Sequence, residues 1–142
     1  MKIRELQLSD LPALAGLYQQ FLNEQSDITR MEEAFRKISH AGTHIVLCAE
    51  DEEMLIGSVM GVVCPELYGD CRPFLVIENM IVDRNVRRQG VGYALLQELE
   101  IRAKARQCTQ MILVTEKNRL DACSFYEAYG FQKHTTGYKK KL

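Results

Sequence analysis

The sequence has no long apolar run. Nothing in it approaches the roughly 20 residues that cross a bilayer, so no membrane partner is expected. The first eight residues alternate polar and apolar, where a secretory leader needs a continuous apolar core, so no leader is expected either. An excess of one charge sign is also missing. Eighteen Lys and Arg stand against 19 Asp and Glu, a formal net charge of -1. Nucleic-acid binders carry a basic face, and this balance excludes one as an expectation. The single basic run, Lys139-Lys140-Lys141, reads as a solvated tail or as charge guarding a sheet edge. Cysteine is present without a pattern: Cys48, Cys64, Cys71, Cys108 and Cys123 are odd in number and never fall as Cys-x-x-Cys. That argues against a metal site and against a disulfide framework. The cysteines are expected reduced, in a cytoplasmic chain, mostly as small core residues. Repeats, low-complexity tracts and linkers are absent from the sequence.

What remains is an ordinary globular composition, 46% hydrophobic and 26% charged over 142 residues. One domain, 1–142, is expected, long enough to bury its own core. Residues 2–8 alternate and predict a strand. Ser9 and Asp10 then cap a helix whose apolar stripe is Leu11, Leu14, Leu17, Tyr18, Phe21 and Leu22, with Pro12 in its first turn. Asn23 opens a polar loop over 23–28, and a second helix covers 29–39. Strands over 44–50 and 54–63 flank an acidic turn and predict a hairpin.

The second half is more informative. Residues 73–82 make a strand apolar on both faces, which predicts a central strand covered by helices on each side. An Arg- and Gly-rich turn follows over 83–92. A helix over 91–106 is expected to turn Ala94, Leu95, Leu99 and Ile101 inward. Then come a strand over 110–115, a helix over 120–129 ended by Gly130, and strand-like segments over 131–133 and 137–142. The alternating segment 134–142 could pair with another copy to make a homodimer, or its lysines could block pairing.

Three features carry chemistry. The turn Arg87-Arg88-Gln89-Gly90-Val91-Gly92 lies between a buried strand and a helix. The first N–H groups of a helix lack internal partners, and the helix dipole adds positive charge there. Gly90 and Gly92 have no side chains to keep a phosphate from those amides, and Arg87 and Arg88 add charge. A Walker loop would need Gly-Lys-Ser/Thr, and a dinucleotide loop a third spaced glycine. By itself the pattern reads equally well as tight packing. Tyr126, one residue past Phe125, points about a quarter-turn away from it on a helix, toward a cleft or toward water. Glu78 sits inside the apolar strand, where a carboxylate is costly unless paired or beside water. It is a general base or a structural ion pair.

The order Glu78-Asn79-Met80-Ile81-Val82-Asp83, then Arg87-x-x-Gly90-x-Gly92, a helix, a strand and Phe125-Tyr126-x-x-x-Gly130-Phe131 resembles the GNAT superfamily of N-acetyltransferases. The resemblance is tight over 74–131. It implies an α/β fold whose mixed central sheet, flanked by helices, splays at the cofactor site, and acetyl-CoA as cosubstrate. It implies that backbone groups of Met80, Ile81 and Val82 meet the pantetheine arm and thioester. It implies that Arg87, Arg88, Gln89, Gly90, Val91, Gly92 and Tyr93 form the pyrophosphate turn. Tyr126 is implied as the acid that protonates the departing thiolate, and Glu78 as the base or the residue ordering a base water.

Many members carry Asn seven residues before the tyrosine, where this chain has Arg119, with Asn118 one residue earlier. Asn118 is therefore held as a cofactor contact, and Arg119 as a contact to a cofactor phosphate or to a substrate anion. Arg119, Asp121-Ala122, Phe125-Tyr126 and the closing Gly137-Tyr138-Lys139-Lys140 resemble a subgroup that includes aminoalkylphosphonate N-acetyltransferases. The activity implied is acetylation of a small amine. The alternatives are acetylation of a protein N-terminus or lysine, and a non-catalytic acyl-CoA sensor. The acceptor itself is not legible.

Overall fold

In the computed structural model, which describes residues 1–22 and 24–142, five strands form one mixed sheet. Strands β1 (Lys2–Glu5), β2 (His44–Asp51), β3 (Met54–Cys64) and β4 (Phe74–Val82) pair antiparallel in chain order. Strand β5 (Met111–Ile112) joins β4 in parallel. The helices are α1 (Leu11–Gln19), α2 (Ile28–Ala41), α3 (Val91–Ala105) and α4 (Leu120–Tyr129). The chain divides into two compact units, Met1–Ile112 and Leu113–Leu142. The sheet and α1 to α3 belong to the first, α4 and the tail to the second. Asn23, read as the start of a loop, lies outside the described residues.

In the first unit the helices take opposite faces of the sheet. Cys48 of β2 and Ile81 of β4 pack with Leu6, Leu11, Leu14 and Leu17, and Tyr18, Met31 and Phe35 close this side. Ser58, opposite Cys48 in the register, shares that face, and its hydroxyl donates to the Leu47 carbonyl at 2.9 Å. Gly57 and Gly61 of β3 face α3. A Cβ on Gly61 would lie 2.8 Å from Cδ1 of Leu99 and 3.0 Å from Cδ1 of Leu75. The missing side chain lets α3 sit close on the sheet, and so holds the start of α3 at the end of β4.

The acidic turn is a two-residue hairpin connection. Asp51 pairs with Met54, and Glu52 and Glu53 adopt φ of 47° and 65°, the left-handed pair that a type I′ turn demands. Ser9 and Asp10 do not cap α1 through their side chains. Leu8–Asp10 is a 3-10 turn. The Asp10 carboxylate instead accepts both Nη groups of Arg4, at 2.7 and 2.9 Å, and the Gln7 N–H at 2.7 Å. Those donors hold its carboxyl below the usual carboxylate range, the Arg4 hydrogen bond being the larger cause.

Several expectations fail where tertiary contacts decide. In α3 the buried face is Val91, Leu95, Leu96, Leu99 and Ala103, while Ile101 is exposed. Helix α1 stops at Gln19, so Phe21 and Leu22 extend past it and are exposed. The strand read over 110–115 pairs only at Met111 and Ile112. All five cysteines are free, but of them Cys48 alone is a core residue, its thiol pushed by burial up to about 11; Cys64, Cys108 and Cys123 are half-buried and Cys71 is exposed.

In the second unit the reading of α4 matches residue for residue, and Gly130 closes it at φ 117°. Its N–H returns to the carbonyls of Tyr126 and Glu127, and the Phe131 N–H also returns to Tyr126. No strand forms over 131–142. Lys139 is drawn to Glu116 of the same unit, and Lys133 to Glu127. The tail is tied by charge to its own unit.

Candidate functional site

The site begins with a register fault in β4. Met60 of β3 lies opposite Glu78, and Ser58 opposite Ile81. Strand β4 thus takes three steps where β3 takes two, and the extra residue is a β-bulge. Asn79 absorbs it at φ 51°, a left-handed conformation that Asn tolerates better than most residues. The bulge switches faces. Leu75 packs on the α3 side with Leu99, whereas Ile81 packs among the α1 leucines.

The bulge also decides which backbone groups are turned outward. The Leu75 N–H bonds Gln110 on the β5 side, and the Asp83 N–H bonds Ile56 on the β3 side, each at 2.9 Å. Backbone groups alternate between the two edges of a strand. Counting back from Asp83, Ile81 turns its N–H toward β3, while Met80 and Val82 turn theirs to the other edge. Strand β5 pairs there only with Leu75 and Val76. The C-terminal half of β4 therefore presents the Met80 and Val82 amides at an edge that β5 does not cover. Ile81 is buried, with side chain and N–H both turned into the fold.

Glu78 corrects an expectation. It is exposed, as is Asn79. The strand is not covered along its whole length: on the face shared by Phe74, Val76 and Glu78, burial falls from half-buried to exposed. Glu78 is a carboxylate beside water.

After β4 the chain makes a 3-10 turn, Arg84–Val86, begun by Asp83, whose Oδ1 accepts the Asn85 N–H at 2.8 Å. Arg87 is extended, Arg88 stands at φ 61° and Gly90 at φ 83°. Gly90 is the N-cap of α3, and the Ala94 N–H is bonded to its carbonyl. The amides ahead of Ala94 precede every carbonyl of the helix. A Cβ built on Gly90 would meet no protein atom within 4 Å. The glycine thus answers a backbone requirement and leaves open space beside the helix start. Arg88, Gln89 and Tyr93 are exposed and Gly92 is half-buried, while Val91 is buried as the first core residue of α3. Arg87 is exposed as well, with its guanidinium 4.5 Å from the centre of the Phe21 ring.

The second unit carries Asn118, Arg119 and Tyr126. Asn118 and Arg119 are exposed just before α4. Tyr126 is half-buried between Phe125, ring centres 5.1 Å apart, and Phe131, edge-on at 5.7 Å. Burial raises its phenol above the ordinary value, and the Arg119 charge works in the opposite direction. The hydroxyl is thus protonated near neutral pH and available as a donor.

Sequence reasoning missed Gln20, Phe21 and Asp83. Gln20 hydrogen bonds Asp83 and Arg84 from 63 and 64 residues away, and no local pattern reports that. The one local signal is the Asp83-x-Asn85 spacing, which favours a side chain-to-backbone turn. Among the described residues no group of three or more His, Cys, Asp or Glu could hold a metal ion, and no helix is long and apolar enough to cross a membrane.

The family model for acetyltransferases of the GNAT family matches residues 3–131, running through both units. Glucosamine 6-phosphate N-acetyltransferase of Trypanosoma brucei brucei is 29% identical over 89 residues, 63% of this chain and 58% of that protein. An uncharacterized N-acetyltransferase of Bacillus subtilis, YhfO, is 25% identical over 95% of this chain and 92% of its own. The chain spans about half the length of the first curated relatives it matches. Among solved structures, a putative acetyltransferase from Agrobacterium tumefaciens superposes with a TM-score of 0.93 at 22% identity, each chain covered completely. At that identity the likeness is one of fold.

Proposed function

The chain belongs to the GNAT acetyltransferase family, and from that premise we propose that residues 1–142 act as one catalytic domain, transferring the acetyl group of acetyl-CoA to the amine of a small molecule. The observation that carries the proposal is the juxtaposition of two features of the first unit. The bulged end of β4 turns the Met80 and Val82 amides to an edge that β5 does not cover, and the chain then runs directly into a helix start left open at Gly90. A strand amide there can hydrogen bond the thioester carbonyl and the oxyanion it becomes. The open helix start, with the Arg88 guanidinium, suits a pyrophosphate.

In the transfer, the acceptor is largely protonated at neutral pH and must first lose a proton, to Glu78 or to a water that Glu78 orders. The free amine then attacks the thioester carbon. A C–N bond forms, the nitrogen gives up its second proton to water, the C–S bond breaks, and Tyr126 protonates the leaving thiolate. A raised phenol is a weaker acid than a thiol of ordinary pKa, about 8.5. Tyr126 therefore acts best by sharing its proton as the sulfur charge develops, and water restores it afterwards. Asn118 and Arg119 serve as cofactor contacts in this reading, with Arg119 also available to a substrate anion.

The acceptor is taken from the amine class. The Trypanosoma relative is named for an amino-sugar phosphate, which supports a small molecule over a protein. The narrower likeness to aminoalkylphosphonate acetyltransferases rests on Arg119, Asp121-Ala122 and 137–140 alone, and neither relative bears that name.

The test is a thiol-release screen with acetyl-CoA against a broad panel of small amines, amino sugars and aminoalkyl acids. The expected result is thiol release that requires one of these amines and yields its acetamide. Coenzyme A binding without release from any amine, peptides included, would favour the sensor instead. For Glu78, the variant Glu78→Gln should lower turnover on that amine about 10²-fold, the low end for a lost acid or base, with acetyl-CoA affinity retained. An unaltered pH–rate profile in Glu78→Gln would make this carboxylate a bystander.

A further inference from the structure

The end of α1 grips the turn that leads into α3. Gln20 uses both ends of its side-chain amide. Its Nε2 donates to Asp83 Oδ2 at 2.8 Å, and its Oε1 accepts the Arg84 N–H at 3.1 Å. Its backbone carbonyl accepts Arg84 Nη2 at 2.7 Å. The next residue, Phe21, supports the Arg87 guanidinium. Asp83 is thereby fully engaged, and its carboxyl sits below the usual range, first through the Asn85 amide and then through Gln20.

The grip explains two features of the turn. It braces a turn that holds Arg88 at φ 61°. A residue other than glycine persists there only where its surroundings over-determine it. It also sorts the arginines. Arg84 is held by Gln20 and Arg87 by Phe21, which leaves Arg88 as the turn's uncommitted guanidinium among the described residues.

We propose that Gln20 is a positioning residue for the coenzyme A phosphates. It acts through Asp83 and Arg84 to hold the 84–90 turn in the shape that presents the α3 amides and Arg88. The proposal rests on the reading of this turn as the coenzyme A site. Removing the clamp leaves every group that touches the phosphates in place, but the turn must then be ordered at the moment of binding. The cost falls on affinity for coenzyme A and not on the chemical step.

The experiment measures coenzyme A binding by calorimetry and steady-state kinetics in wild type, Gln20→Met, Asp83→Ala and the double variant. Gln20→Met keeps the length and bulk of the side chain and loses both amide hydrogen bonds. It should weaken coenzyme A binding, and raise the acetyl-CoA KM, by about tenfold, the equivalent of one or two net hydrogen bonds. Its kcat at saturating acetyl-CoA should stay within about twofold of wild type. The double variant should bind no more weakly than the worse single one, because both break the same clamp.

Unchanged affinity in Gln20→Met would overturn the proposal, and so would additive losses in the double variant. Equal falls in kcat and in melting temperature, with affinity retained, would make Gln20 a structural cap of α1. Gln20→Glu is the second variant, in case Gln20→Met does not fold. It keeps the acceptor for Arg84 and sets a carboxylate against Asp83, and its affinity should fall at least as far; wild-type affinity in it would overturn the proposal too. If wild type binds no coenzyme A, the cofactor-site reading itself fails and takes the proposal with it, a result separate from binding that ignores Gln20.

Discussion

Tyr126→Phe should fold, bind acetyl-CoA with unchanged affinity and turn over about 10²-fold more slowly, the low end for loss of a general acid. The ring is what packs against Phe125 and Phe131, so removing the oxygen leaves the aromatic cluster intact. What disappears is the proton donor to the departing sulfur. Because burial raises the phenol, wild type should hold its donor through neutral pH and lose it only above a phenol's ordinary value of about 10. Tyr129→Phe is the control. Tyr129 packs against the same Phe131, ring centres 5.9 Å apart, and its change should show in stability more than in turnover. Both variants are to be measured on one amine at saturating acetyl-CoA. Wild-type turnover in Tyr126→Phe would pass the role of acid to a water or to another group.

Gly90→Asn should remain folded and lose acetyl-CoA affinity by about 10²-fold or more, since blocking two charged hydrogen bonds removes about 3 kcal/mol or more. Two effects are separable at this position. The φ of 83° strains an ordinary side chain, by about 1–2 kcal/mol; Asn visits this region more readily, so Gly90→Asn keeps most of the stability. The space beside Gly90 is open in the protein, so a new side chain obstructs only a ligand. Gly90→Val carries the same obstruction and adds the strain. The measurement is acetyl-CoA affinity together with the melting temperature, with and without cofactor. Wild type should gain stability from the cofactor by mass action, and both variants should gain less at the same concentration. Gly90→Asn that binds as tightly as wild type would move the phosphate site elsewhere.

Local signals carried much of this protein. Helix α4 is legible to the residue because its start follows a turn and its end is Gly130, whose left-handed φ few other residues would accept. The β2–β3 hairpin is legible because two apolar runs flank three acidic residues. The strand–turn–helix order around Arg87–Gly92 can be read because glycines mark the place where apolar period two gives way to helical period. Tyr126 can be singled out by its place before Gly130-Phe131. Each signal lies within a dozen residues, the range over which a sequence pattern constrains the backbone directly.

The rest depended on partners far along the chain. Glu78 belongs to a run that reads as buried, and only the fold shows that its face, shared with half-buried Phe74 and Val76, is left open to water at this point. A bulge is a mismatch between two strands and leaves no period in either alone. The same mismatch sends Ile81 into the α1 layer and turns Met80 and Val82 outward, so three adjacent residues with equal claims from sequence receive different roles. The inward face of α3 fell to Leu96 and Ala103 instead of Ile101 because the helix is set against Gly57 and Gly61, and their missing side chains fix which stripe comes closest. Gln20 looked like the polar end of a helix, and its two hydrogen bonds to the far turn exist only once α1 is folded against β4. The sequence by itself determined most of the elements and the glycine at position 90, because these follow from local backbone preference, and it carried the family in the order and spacing of its motifs. Which carboxylate meets water, which amides face outward and what braces the turn were decided by strand register and long-range hydrogen bonds, which only the folded chain contains.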